Sequence, residues 1–206
     1  MTIREPLLHP VRIDELRPTQ MTVGYREVDE KRREWRERGS TKKAKFLGSH
    51  MIPVLLGPGK HRYVIDHHHL ALALWREGAK EVLTNVVADL RHLDQDAFWV
   101  VADHRGWVHP YDAKGVRRAI SRLPRRVQDL DDDPFRSLAG ELRRAGGFAK
   151  DTTPFSEFLW ADFLRRRMVR GTVKKHFAAA LVEALEHAKS MEAGYLPGWC
   201  GPVEQG

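Results

Sequence analysis

Asp66, His67, His68 and His69 stand in one unbroken run, between Tyr63-Val64-Ile65 and Leu70-Ala71-Leu72-Ala73-Leu74-Trp75. A carboxylate beside three imidazoles can exchange protons near neutral pH, contact a phosphate, or hold a metal ion. The flanks say where this chemistry would sit. Tyr63-Val64-Ile65 is aromatic and β-branched, as strands are. Leu70 to Trp75 is wholly apolar, which predicts a helix buried on more than one side, with Gly78 just beyond its C-terminal end. Asp66 has the right type and place for an N-cap, so the three histidines are expected in the first turn. The first-turn N–H groups and the helix dipole attract an anion there. The same field disfavours imidazolium, so His68 and His69 are expected to be neutral until a phosphate binds.

Metal binding is a second role for the run. Adjacent helical residues point ~100° apart, so three consecutive histidines cannot converge on one ion. Asp66 with one or two of them can hold Mg²⁺, but a two-metal centre is not expected. A purely structural role is the third reading, and it suits one histidine better than three, because buried imidazoles need partners.

Other residues are candidates by composition. The segment His104 to Asp112 is dense in His, Arg and aromatics, and it can bring His104 or Asp112 to the junction. Lys42, Lys43 and Lys45 can steer a phosphate but read first as a solvated face. Two basic stretches, Arg117 to Arg126 and Arg165 to Lys175, can track a nucleic-acid backbone. Asp129 and Asp131-Asp132-Asp133 lie close by in sequence, so these arginines read as solvated or paired within the chain. No helix-turn-helix signature is present, so sequence-specific DNA reading is not expected.

The elements that must position the run follow in order. Leu7 to Ile13 predicts a strand and Tyr25 to Arg38 a charged helix, and Ser40 is placed to cap a short helix through Leu47. Ile52 to Leu56 and Arg62 to Ile65 predict a hairpin across a Gly-Pro-Gly turn. Glu81 to Ala88 predicts another strand. Asp94 is placed to cap a helix through about Asp103. Lys114 to Leu123 reads as helical up to Pro124. Asp133 is placed to cap a helix from Pro134 to Ala145. Ser156 to Arg170 and Val173 to Met191 read as two helices joined by Gly171-Thr172, the second with Phe177, Leu181 and Leu185 at four-residue spacing.

The 206 residues carry a net charge of +7 and 42% hydrophobic residues, enough for a sizeable core and suited to anionic partners. The single cysteine, Cys200, rules out an intramolecular disulfide and a cysteine-built zinc site. Met1 to Pro6 has no apolar signal region, and no apolar run approaches the ~18 residues of a membrane span. A cytoplasmic protein without a membrane partner is expected.

The order of these segments resembles the ParB/sulfiredoxin superfamily over roughly residues 8–90. The residues that carry the likeness are Leu16-Arg17-Pro18-Thr19-Gln20, Ile52 to Leu56, Tyr63 to His69, and Trp75 to Val82. The remainder is similar to the helical extension of the ParB-like nuclease branch. The resemblance implies nucleotide or phosphate chemistry at the strand-to-helix junction. In the superfamily's free serine kinases this junction reads Asp-Gly-His-His-Arg. Asp66, His68 and His69 match it, while His67 stands for the Gly and Leu70 for the Arg. Leu70 removes a charge-assisted phosphate contact. Those kinases also carry a catalytic Glu after the first Pro turn, where this chain has Thr19-Gln20, and glutamine is no general base.

The expected architecture is therefore α+β: a small mixed-sheet ParB/sulfiredoxin-like core over residues 1–92, with a helical C-terminal half over 93–206 packed on it. The expected function is that of a ParB-like nuclease or nucleotide-dependent phosphate-handling enzyme. Asp66, His68 and His69 are its expected catalytic groups. Thr19, Gln20, His67, His68 and His69 are expected to bind nucleotide or phosphate, and Asp66 is the expected metal ligand. Mg²⁺ and a nucleotide (ATP, ADP or CTP) are the expected cofactors. The expected partners are a nucleotide or phosphorylated small molecule, and nucleic acid. Two alternatives stand beside this reading: a non-catalytic, nucleotide-gated DNA- or protein-binding module, and a kinase of a free amino acid.

Overall fold

The computed structural model describes residues 10–39 and 46–202. The expected helix cap at Ser40, Lys42, Lys43 and Lys45, and the start of the expected strand at Leu7 lie outside the described residues. In chain order the strands are β1 (Pro10–Arg12), β2 (Leu16–Pro18), β3 (Thr22–Val23), β4 (Ile52–Leu56), β5 (Arg62–Val64), β6 (Glu81–Asp89) and β7 (Asp131–Asp132). The α-helices are α1 (Tyr25–Arg36), α2 (His68–Arg76), α3 (Gln95–His104), α4 (Pro134–Arg144), α5 (Ser156–Arg165), α6 (Arg170–Lys175) and α7 (Phe177–Lys189). The fold is α+β, with a small mixed sheet in the first part of the chain and helices dominating the second.

The chain forms two compact units. The first holds the chain up to Met21, Val28–Pro110 and Ala119–Leu130. Helix α3, beyond the expected boundary at residue 92, is part of it. Its sheet has the order β1-β6-β4-β5-β2. β4 and β5 form the expected antiparallel hairpin, β4 and β6 run parallel, and β2 runs parallel to β5. A register shift between Val54 and Leu55 marks a bulge against β6. The turn of the hairpin needs Gly57, since a Cβ there would sit 2.6 Å from the Tyr63 ring and 2.9 Å from that of Phe98. Tyr63, Phe98 and Leu55 form an apolar cluster beneath it. Helix α2 is buried from His68 through Leu74, the apolar run Leu70 to Leu74 facing the interior as its sequence requires. Asp94 caps α3 by accepting from the Ala97 N–H at 2.8 Å.

The second unit takes in Thr22–Glu27, Tyr111–Arg118 and the chain from Asp131 on. Asp133 caps α4 as expected, accepting from Phe135 N–H at 3.0 Å. Its core joins Phe135, Leu138 and Leu142 of α4 to Trp160, Phe163 and Leu164 of α5. Along α7 it is Ala180, Ala184 and Ala188 that are fully buried, while Phe177, Leu181 and Leu185 pack at their flanks. Small side chains let that helix approach its neighbours closely, so the alanine stripe, not the larger residues, faces inward.

Several expected elements are corrected. Residues Lys114 to Leu123 are not an α-helix; only a short 3-10 turn forms at Ile120–Arg122. Asp112 accepts from the Lys114 and Val116 N–H groups, and Gly115 is left-handed at φ 74°, which together hold a turn where a helix would start. The helix from Ser156 ends at Arg165 rather than Arg170. Gly171-Thr172 does not link two helices but lies inside α6. The break falls instead at His176, whose φ of −131° and ψ of 53° are not helical.

Candidate functional site

Parallel pairing of β2 with β5 brings two chain segments to one end of the sheet. Pro18 pairs with Val64, so Thr19-Gln20 and Ile65-Asp66 leave the sheet side by side. The carboxyl ends of parallel strands are a common place for ligands in open sheets. Thr19 ties the two segments together. Its hydroxyl donates to the Val64 carbonyl at 2.7 Å, and its N–H donates to Nε2 of His68 at 3.3 Å. Its carbonyl accepts from the His109 N–H at 2.8 Å, and Gln20 and His109 form a parallel bridge. Thr19, Gln20, His68 and His69 are all buried. Thr19, with Gln20 beside it in the chain, is thus held against His68.

Their chemistry is divided by environment. His68 is 2% exposed. Burial lowers its pKa to about 3, with His69, His67 and His109 adding to the fall and the Val64 carbonyl opposing it. A neutral ring that accepts from Thr19 at Nε2 carries its proton on Nδ1. The expected neutrality of His68 therefore holds, with burial as the leading cause.

Asp66 and His67 are exposed. Asp66 is not the N-cap. That place falls to His67, which makes no side-chain capping bond and adopts φ 63°, ψ 24°. The first ladder bond runs from Ala71 N–H to the His67 carbonyl at 2.9 Å, so the helix starts one residue later than its sequence suggests. Asp66 instead accepts the His67 N–H at 2.6 Å and supports the left-handed turn. The His67 ring contacts the Met51 carbonyl through Nδ1 at 3.1 Å. Since a carbonyl only accepts, Nδ1 carries hydrogen and Nε2 is the ring's other polar atom. Glycine would adopt this left-handed backbone without the steric cost that a Cβ brings.

The other candidates are engaged with local partners. His104 ends α3, with its Nδ1 on the Val100 carbonyl at 2.8 Å. Asp112 belongs to the second unit and is engaged with Arg118 at 2.5 Å and with its own loop. The His-rich loop does reach the junction, through His109, a residue its sequence did not distinguish from its neighbours. The signal was present in part: His109 precedes Pro110, which favours the extended backbone that a bridge requires.

Among the described residues no three His, Cys, Asp or Glu side chains converge to hold a metal ion. The basic stretches are paired in part. Arg165 meets Asp133 and Asp162, Arg166 meets Asp162, and Arg167 meets Glu192. Arg118 and Arg126 pair with Asp112 and Asp129. Among the described residues no helix is long and apolar enough to cross a membrane.

Residues 9–166 match the family model described as "Putative ParB-like nuclease". The chain belongs to this family. The match covers the junction, Thr19-Gln20 and the loop that carries His109. This ParB-like protein is also similar to the crystal structure of protein Atu1540 from Agrobacterium tumefaciens. The two are 55% identical with a TM-score of 0.88, over 95% of this chain and 99% of the other. A conserved hypothetical protein from Pyrococcus furiosus aligns over 46% of this chain and 37% of its own, at 18% identity and a TM-score of 0.32, too remote to bear on fold or function. No curated protein matches the chain.

Proposed function

We propose that this ParB-like protein is a phosphodiester- or nucleotide-handling enzyme of nuclease type, with its site at the Asp66–His69 junction. The observation that carries the reading is the bond between His68 and Thr19, which holds the Thr19-Gln20 turn at the start of α2 while Asp66 and His67 remain exposed. A phosphate at that helix start meets the positive end of the dipole and the exposed imidazole of His67. Asp66 is the group suited to take a proton from attacking water as the new P–O bond forms. An imidazolium of His67 or His69 is suited to return a proton to the departing ester oxygen. His68 and Thr19 position these groups, and Gln20 offers hydrogen bonds but no base. That last point favours hydrolysis over transfer to a free amino acid, because the kinases use a glutamate at the corresponding place.

Mg²⁺ and a nucleotide fit this reading as companions of the substrate. Asp66 is the carboxylate that could meet an ion arriving with the phosphates, and no step here depends on a protein-held metal. The test is plasmid and oligonucleotide cleavage with and without Mg²⁺, alongside titration with ATP, ADP and CTP. Asp66→Ala is expected to lower cleavage by about 100-fold or more. Cleavage that survives this substitution and His69→Ala would reject the junction. Binding of DNA or nucleotide without turnover would favour the non-catalytic module instead.

A further inference from the structure

A cavity of about 470 Å³ lies in the first unit where α2 turns into β6. Its lining includes Trp75 near the end of α2, Ile13, the cations Arg12 and Lys80, and the carboxylates Asp14 and Glu81. Trp75 is anomalous. It follows five residues, Leu70 to Leu74, that are all buried, yet is itself 39% exposed. Exposing an indole forgoes burial energy unless its face serves another contact. The cavity beside it falls within the size range of small-ligand sites.

The charges around the indole narrow the ligand. Arg12 donates to both oxygens of Asp14, and this pairing keeps the Asp14 carboxyl below its ordinary pKa and ionised. Asp14 can therefore accept hydrogen bonds from ring amino groups, and Glu81 lies in the same lining. Arg12 is largely offset by Asp14, which leaves Lys80 as the cation suited to a phosphate. A planar ring over Trp75, amino groups toward carboxylates and a phosphate toward a lysine describe a nucleotide. A simple sugar phosphate would leave the indole unused.

We infer that this cavity binds a nucleobase stacked on Trp75, with its phosphate toward Lys80. Trp75 lies seven residues beyond His68 on the same helix, about 10 Å along its axis. A single strand can thus present a phosphate to the junction and a nearby base to the cavity. The strand-bound form of the inference rests on the function proposed above; capture of a free nucleotide does not.

The probes are 5′-AMP, followed by calorimetry, and a fluorescein-labelled single-stranded decanucleotide, followed by anisotropy. Trp75→Ala is expected to weaken binding about tenfold, the size of one base–aromatic stack, and Trp75→Phe to retain most of it. Lys80→Glu should weaken both probes without touching the apolar interior. A Trp75-dependent signal with AMP alone assigns the cavity to free nucleotides; with both probes, to strands as well. Equal binding by the wild type and Trp75→Ala, or no binding of either probe by the wild type, overturns the inference. The two sites fail separately: absent cleavage with Trp75-dependent binding rejects only the junction, and cleavage with Trp75-independent binding rejects only the cavity.

Discussion

Nε2 of His68 accepts the main-chain N–H of Thr19 at 3.3 Å, across 49 residues of sequence. Both groups are buried, so neither has water as an alternative partner. His68→Ala leaves that N–H without an acceptor and opens a cavity under α2. The expected cost is about 2–4 kcal/mol, measured by urea unfolding. A loss below ~0.5 kcal/mol would show that the bond does not hold the turn.

The same ring sets a pH dependence. Its native pKa of about 3 lies below the ~6.5 of an unfolded histidine. Below pH 6.5 the unfolded chain takes up a proton that the native ring refuses. This contribution to stability is full above pH 6.5 and declines as the pH falls from 6.5 toward 3, by up to about 1.4 kcal/mol per unit. Between pH 7.5 and pH 5 the wild type should lose about 2 kcal/mol more than His68→Asn. Equal losses would assign the acid sensitivity to other groups.

His67 bears a side chain where the backbone is left-handed at φ 63°. His67→Gly relieves that strain and gives up an exposed contact to Met51. A net gain of about 0.5–1 kcal/mol in stability is expected. Cleavage should fall in the same variant, because the imidazole leaves the proposed site. A variant both more stable and equally active would make His67 a bystander.

In the second unit, Asp133 is 1% exposed, caps α4 and pairs with Arg165 at 2.6 Å. Burial raises its pKa, although Arg165 and the capping N–H groups act in the opposite sense. Asp133→Ala removes the cap and leaves a largely buried guanidinium with one acid fewer. The expected loss is about 3–5 kcal/mol, read as a lower urea midpoint. If Asp133→Asn, which keeps a capping oxygen, costs as much as Ala, the charge dominates; if it costs far less, the cap does.

Much of this protein was decided locally and could be read without coordinates. The hairpin of Ile52–Leu56 with Arg62–Val64, the capped helices after Asp94 and Asp133, and the buried helix after the histidine run all follow from short-range propensity, capping and apolar pattern. The family resemblance rested on the same segments, with the junction among them. What pattern could not decide were contacts and conformations that depend on distant partners. Whether Asp66 or His67 caps α2 depended on a left-handed backbone supported by Asp66 and the Met51 carbonyl. That His109, rather than His104 or Asp112, meets Thr19 depended on a bridge between segments about 90 residues apart. The three consecutive histidines look alike in the chain, but folding leaves one exposed and two buried, and lowers the pKa of His68 far below its ordinary value. Burial is a property of the assembled structure, and it sets the proton affinity of a ring that sequence can only name.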